Sequence, residues 1–325
     1  MLPSLSMDQK EREKIGAFAR ICANIGLFAV VAGIVPVTNA LGNALGDMKR
    51  AYFIFSVAVA LIMVAGQCIT LFGVKEPKGV FKQQPSTTLK GMFQAIVKND
   101  QLLYTAISMV LFMIGYVTTT SFGLYFFKYA YGDEGMYSIF AIVLGVSQII
   151  ALVIFPLFSK KYERKTLYTY ATLLVLLGYI IFFFSPMHML FIGIAGIFIF
   201  IGQAFIQLLM LMFLADTVEY GQWKLGKRND SVTFSLQPFI NKMGGAIASG
   251  IVGTTLILSG INDATSKADV TEQGLLMMKT SMLVLPLLCI VAGYIVYRVK
   301  YKIDSKMYEQ IVSDLRTRGE IHIKE

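Results

Sequence analysis

The sequence predicts an all-α integral membrane protein, on three observations. Of 325 residues, 56% are hydrophobic and only 15% charged, against about 25% charged in ordinary soluble domains, and the mean hydropathy is +0.64. The apolar residues gather in runs of about 18 or more, long enough for a helix to cross the hydrocarbon core of a bilayer. The basic residues fall between those runs, mostly in alternate connections. These features exclude a water-soluble enzyme, a disordered chain and a disulfide scaffold. Cys22, Cys68 and Cys289 all lie in apolar stretches and read as free, packed thiols. Residues 1–14 are polar and charged, without the apolar segment of a secretory signal, so membrane targeting is expected from the spans themselves.

The apolar runs place spans near 17–41, 51–72, 102–127, 137–158, 167–184, 189–214, 232–258 and 275–297. Eight crossings put both termini on one side. With the N-terminus in the cytoplasm, the outer connections hold only Lys49, Arg50, Lys128 and Lys267, while most lysines and arginines fall inside. The positive-inside rule then predicts a multi-pass protein of the plasma (cell inner) membrane with both ends cytoplasmic. The same distribution accounts for the net charge of +9 without a nucleic-acid partner.

Four segments follow: residues 1–73 with two spans, a basic linker at 74–100, a six-span lobe at 101–300 and a cytoplasmic tail at 301–325. Many transporters pair two six-helix lobes around a midplane site, so the two-plus-six division reads as a lobe remnant followed by a whole lobe. Within the linker, Ser86 is placed to cap a short helix with Leu89, Met92, Phe93, Ile96 and Val97 on one face. Such a helix lies on the inner leaflet; the alternative is a loop that is amphipathic only over this window.

Two cations stand out. Lys242 is roughly 15 Å into the seventh span, where a charge costs about 2.5–3.5 kcal/mol and so faces a cavity or a partner; the alternative is a lysine that snorkels to the interface. Arg20 either lines the same pocket, carried about 18 Å inward by a helix starting near Asp8, or snorkels to the interface. Lys279, close to the outer end of the last span, reads as an interface anchor. No carboxylate falls deep in a span, so nothing in the sequence neutralises Lys242 at depth. Asp216, Glu219 and Arg228 belong to the connection after the sixth span; they read as a cytoplasmic gate or, equally, as a solvated loop that sets orientation. After Lys242, small residues pair at 245/249, 246/250 and 249/253, a pattern that lets helix backbones approach.

The stretch Ala215-Asp216-Thr217-Val218-Glu219-Tyr220-Gly221-Gln222-Trp223-Lys224, continuing through Arg228 to Ser235-Leu236-Gln237-Pro238-Phe239-Ile240-Asn241-Lys242, resembles the glycoside-pentoside-hexuronide:cation symporter family of the major facilitator superfamily. Residues 2–6 with Glu11, Arg12, Glu13 and Arg20 are similar to that family's connection into its fifth helix. The resemblance implies a major facilitator fold with about eight of the usual twelve helices, the first four being absent. It also implies a sugar-binding set of Arg20, Ala23, Gln237 and Lys242, a charged cytoplasmic network of Asp216, Glu219 and Arg228, and a sodium or proton site on the missing helices. Gln207 stands where the melibiose permease has a tryptophan on the sugar, and Pro238 replaces a small hydroxyl residue. A glucuronide, xyloside or other glycoside is therefore as good a candidate as a galactoside.

The function expected from this reading is cation-coupled sugar transport by alternating access, incomplete in this chain. The alternatives are an uncoupled facilitator and a nonfunctional or regulatory membrane fragment. The expected partners are a sugar or glycoside, the lipid bilayer and the missing helices, with no cofactor and no metal site in the chain. An enzyme is disfavoured: His188 and His322 are remote in sequence from each other and from any deep carboxylate, and no phosphate-binding glycine-lysine loop is present.

Overall fold

A computed structural model describes residues 9–73 and 89–318, and each of the eight apolar runs forms a helix. In chain order the helices are α1 (Gln9–Leu45), α2 (Met48–Gly73), α3 (Leu89–Lys98), α4 (Asp100–Tyr125), α5 (Gly135–Lys161), α6 (Arg164–Phe184), α7 (Met189–Leu225), α8 (Asp230–Leu258), α9 (Glu272–Lys300) and α10 (Ser305–Thr317). The short helix expected in the linker is α3; Ser86, its expected cap, lies outside the described residues. A π-helical turn, Phe126–Tyr131, extends α4 to Gly132, whose φ of +93° only glycine adopts without strain.

By length and composition, seven of the described helices are able to cross a membrane. The seventh run of the sequence, α8, is long enough but is not among those seven, because Gln237, Asn241, Lys242 and a series of glycines dilute its apolar content. A less apolar helix of full length is what a polar pathway requires of its wall. A second difference concerns the connection after the sixth apolar run. Asp216, Glu219 and Lys224 are helical residues and not loop residues, because α7 runs on past its apolar stretch. Gly226, at φ +66°, ends it by donating its N–H to the Gln222 carbonyl.

The chain divides into two compact units. In the first, α1 and α2 are joined by a tight turn at Gly46, and the Asp47 carboxylate caps α2 by accepting from Lys49 N–H at 2.8 Å. Large apolar side chains of α2 remain exposed, Phe53 by 70% and Phe72 by 80%. Surface of that kind belongs against lipid or further protein.

The second unit, residues 87–133 and 146–325, is held by close backbone approaches. A Cβ on Gly202 of α7 would come within 2.7 Å of the Ala171 carbonyl on α6, and one on Gly178 of α6 within 2.9 Å of the Ala195 carbonyl on α7. Gly115 of α4 and Gly293 of α9 meet the opposite backbones in the same way. On α8 the contact residue is Gly244, where a Cβ would lie 2.7 Å from that of Met113. In the expected small-residue stripe, a Cβ on Gly245, Gly250 or Gly253 would meet nothing within 4 Å among the described residues, so these glycines make no close backbone approach there. Between helices, Thr119, Tyr179 and Gln203 form a sealed polar clamp, with the Thr119 and Tyr179 hydroxyls 2.5 Å apart and Gln203 Nε2 donating to Tyr179 at 3.4 Å.

The connection after α8 is ordered by Asp269. Thr265 and Ser266 each donate a backbone N–H and a hydroxyl to its carboxylate at 2.8–3.0 Å. These bonds favour the ionised form and hold the carboxyl at about 2, below the ordinary 3.8.

Two outcomes follow from these contacts. Gly202→Ala should lower unfolding stability in detergent by about 1–3 kcal/mol, whereas Gly250→Ala should cost nothing measurable; equal effects would show that backbone contact is not what holds α6 to α7. The depressed carboxyl means the loop's bonds persist as pH falls through 3.8 and are lost only as it falls through about 2. A carboxyl carbon NMR titration of Asp269 should therefore show its midpoint near that lower value, and an ordinary midpoint would contradict the cluster.

Candidate functional site

Lys242 stands two residues before the midpoint of α8 and is exposed. Among the described residues no hydrogen bond or ion pair engages its ammonium. Five residues earlier on the helix, Gln237 is half-buried. The next residue, Pro238, has no N–H to donate along the helix, which leaves the Phe234 carbonyl without its usual partner. Ala23 is exposed on α1 in the first unit. Arg20 lies on the same helix, but its side chain falls outside the described residues. The expected sugar-binding set is thus divided between units, with Gln237 and Lys242 together on α8.

At the start of α4, Asn99 caps the helix by accepting from Leu102 N–H at 3.0 Å, and its amide donates to the Thr217 carbonyl of α7 at 2.9 Å. Asp100 then gathers Lys224 at 2.5 Å, the Tyr220 hydroxyl at 2.9 Å and Gln101 Nε2 at 2.8 Å. The Gln101 carbonyl accepts from Lys302 N–H at 2.7 Å, which ties the end of α9 to α4. Nearby, Asp216 is buried on α7, and one guanidinium nitrogen of Arg164, the first residue of α6, reaches its two oxygens at 2.8 and 2.6 Å. Tyr301 donates to the same carboxylate at 3.4 Å. Burial and the Asp216 charge hold the Tyr301 hydroxyl well above its ordinary value, so it stays protonated and able to donate.

Glu219 faces Arg228 at 3.1 Å, and Arg228 also reaches Asp230 at 2.8 Å and Gln222 at 3.0 Å. Burial works against the Arg228 charge, yet its bond to Asp230 and the two carboxylates keep it above its ordinary value. Trp223 donates to Asp314 of α10 at 2.8 Å, and Arg318 donates to the Trp223 carbonyl at 3.2 Å. Asp216, Glu219 and Arg228 therefore form two adjacent clusters within the second unit. Sequence reading grouped them but missed Arg164 and Asp100, which are far away in the chain. The only signal was that each begins a helix directly after a lysine-bearing connection.

A family model described as MFS/sugar transport protein matches residues 1–305. The chain belongs to this family. Similar curated members are the raffinose carrier protein of Pediococcus pentosaceus, 32% identical over 97% of this chain and 50% of its own length, and the lactose permease of Lactobacillus delbrueckii subsp. bulgaricus, 30% identical over 99% of this chain and 52% of its own. The chain spans about half the length of these relatives. A solved bacterial homologue of the human lysosomal transporter Spinster, in an inward-facing and unoccupied conformation, shares the fold with a TM-score of 0.55 at 14% identity, over 93% of this chain and 72% of that one. The family is one of carriers and permeases, not of enzymes.

Within this member, Arg164→Ala should leave the buried Asp216 carboxylate without its main partner and lower unfolding stability by about 1–3 kcal/mol, less than for a fully buried pair because Arg164 is half exposed. Asp216→Asn in the same background should restore part of that loss. Asp100→Asn, which breaks a more exposed pair, should cost less than about 1 kcal/mol. Thermal unfolding of the four proteins measures all three effects, and a loss at Asp100 as large as at Arg164 would refute the ranking.

Proposed function

We propose that this chain is part of a sugar carrier that works by alternating access and couples uptake of a glycoside to entry of sodium or protons across the cell membrane, with both termini cytoplasmic. The observation that carries the sugar-site assignment is Lys242, exposed near mid-helix with no partner among the described residues. A lysine at that depth is tolerated only where it meets water, a counter-charge or a ligand. Hydroxyl oxygens of a sugar satisfy its three donors without adding a second charge.

Gln237, on the same helix, adds a carboxamide that both donates and accepts. Arg20 and Ala23 are read as the first unit's share of the sugar site, and Asp216, Glu219 and Arg228 as the charged inner end that rearranges with access. Residues 1–73 and 101–300 are read as belonging to two lobes, with 74–100 as the linker and 301–325 as the cytoplasmic tail. The coupling cation is assigned to residues outside this chain. Raffinose and lactose, for which the two relatives are named, are the first substrates to try.

In proteoliposomes holding the complete protein, lactose or raffinose should accumulate under an inward sodium or proton gradient, and Lys242→Gln should cut the initial rate at least tenfold at equal protein content. Unchanged uptake by that variant would remove Lys242 from the site. Equilibration without accumulation under either gradient would favour the uncoupled facilitator.

A further inference from the structure

At the end of the second unit away from the Asp100 and Asp216 clusters, α6 and α9 leave a groove between them. The two helices run antiparallel: Thr169 meets the Tyr294 hydroxyl at 2.9 Å at one level, and the Lys279 ammonium stands 5.0 Å from the centre of the Phe183 ring at the other. Near the second level the gap holds about 180 Å³, walled by Ile180, Phe183 and Phe184 of α6 and by Leu283, Val284 and Leu287 of α9. Leu283 is buried while Ile180 and Phe184 are exposed, so the groove opens outward from the bundle.

The groove is apolar by construction. Pro286 of α9 cannot donate to the Met282 carbonyl one turn back, and Thr119 of α4 donates there instead at 3.2 Å. Tyr179, the remaining lining residue, has its hydroxyl bonded to Thr119 and Gln203. No lining side chain therefore offers a free donor or acceptor. A sugar finds nothing to bond there, and the volume falls short of the roughly 300–1,000 Å³ of small-molecule pockets.

Depth and length match one lipid leaflet. With 29 residues, α9 is about 43 Å long, the thickness of a bilayer with its headgroups, about 40–45 Å. Lys279 is about 10 Å along the helix from Glu272, just inside the hydrocarbon boundary, where a lysine stem reaches the phosphate layer. From Lys279 to Leu287 the helix rises about 12 Å, within the roughly 15 Å of hydrocarbon in one leaflet. The groove is thus an apolar channel of acyl-chain length with a cation at its headgroup end.

That cation lacks a counter-charge. Among the described residues no carboxylate pairs with Lys279 and no acceptor receives its N–H groups. Glu272 is two turns back, about 10 Å away along α9, and the Asp269 carboxylate is occupied by Thr265 and Ser266. The Phe183 ring offsets part of the charge from one side. A net-anionic headgroup supplies phosphate oxygens and the missing charge together, whereas a zwitterionic one brings an ammonium of its own.

We propose that the groove between α6 and α9 binds one anionic phospholipid, with an acyl chain along Ile180, Phe184, Val284 and Leu287 and the phosphate on Lys279. The site requires only that these helices span a bilayer and is independent of the sugar assignment.

The test is native mass spectrometry of the complete protein in detergent, titrated separately with dioleoyl phosphatidylglycerol and dioleoyl phosphatidylcholine. Lys279→Gln should hold one phosphatidylglycerol fewer than wild type at tight binding, its affinity for that lipid falling about fivefold, the effect of one lysine at a membrane surface. Phosphatidylcholine binding should not change, and Lys279→Arg should keep the full complement. Ile180→Trp, which fills the groove, should lose the same phosphatidylglycerol; Lys279→Gln decides the matter if the tryptophan variant does not fold. Equal phosphatidylglycerol binding by wild type and Lys279→Gln would leave Lys279 an ordinary interfacial lysine and overturn the site. An equal loss of both lipids in Lys279→Gln would overturn the selection of an anionic headgroup. Folded Ile180→Trp that keeps its lipid would remove the acyl chain from the groove, and a dimer that this variant dissociates would make a second copy the occupant; either result overturns the proposal.

Discussion

The bilayer offers no water to a polar group at mid-depth, and the arrangement of this chain depends on that constraint. Every backbone bond inside a span must close within its own helix, which is why the apolar runs form helices throughout. Once helices are obligatory, apolar burial drives their association only weakly, because lipid is as apolar as leucine. Association must come from close contact and from polar groups that have nowhere else to turn. The second unit uses both. Glycines at 115, 178, 202, 244 and 293 bring backbones together, and hydrogen bonds link Thr119, Tyr179 and Gln203 across helices.

The same constraint sorts the charges. At one end of the second unit's helices, where water is close, carboxylates and cations are abundant and paired: Asp100 with Lys224, Asp216 with Arg164, Glu219 and Asp230 with Arg228. Asp100 with Lys224 joins α4 to α7, Asp216 with Arg164 joins α7 to α6, and Tyr301 and Lys302 tie the end of α9 to the same group, so this rim braces the helix ends against each other. At mid-depth the described polar groups are neutral, apart from Lys242. A cation kept there without a built-in partner has a stability cost, and under the transport reading the ligand offsets it each time the site fills.

Much of the fold was legible because a membrane span is a local property. A run such as 189–214 needs no knowledge of its neighbours to be read as a helix, and the eight runs all form helices. The exceptions share one cause, which is that partners are not local. The polar end of α7 looked like a loop because its Asp216 and Glu219 have no apolar neighbours in sequence, yet Arg164, Tyr301 and Arg228 receive them in space. The small residues of α8 looked like a packing stripe, but only Gly244 faces α4 closely. Lys242 was conspicuous as a charge in an apolar run.

Under the transport reading, recognition through hydrogen bonds suits what a carrier must do with its ligand. A buried ion pair made with substrate would be costly to form and slow to break, whereas a hydrogen bond exchanged against water contributes only about 0.5–1.5 kcal/mol net. A handful of such bonds amounts to affinities on the order of millimolar to micromolar, strong enough to select a sugar and weak enough to release it on the other side. Selection then depends less on the strength of any bond than on whether several are made at once, and that requires donors and acceptors at fixed spacing. In the second unit the close approach of Gly244 to Met113 fixes the height of α8 against α4, and with it the height at which every polar group on the two helices stands.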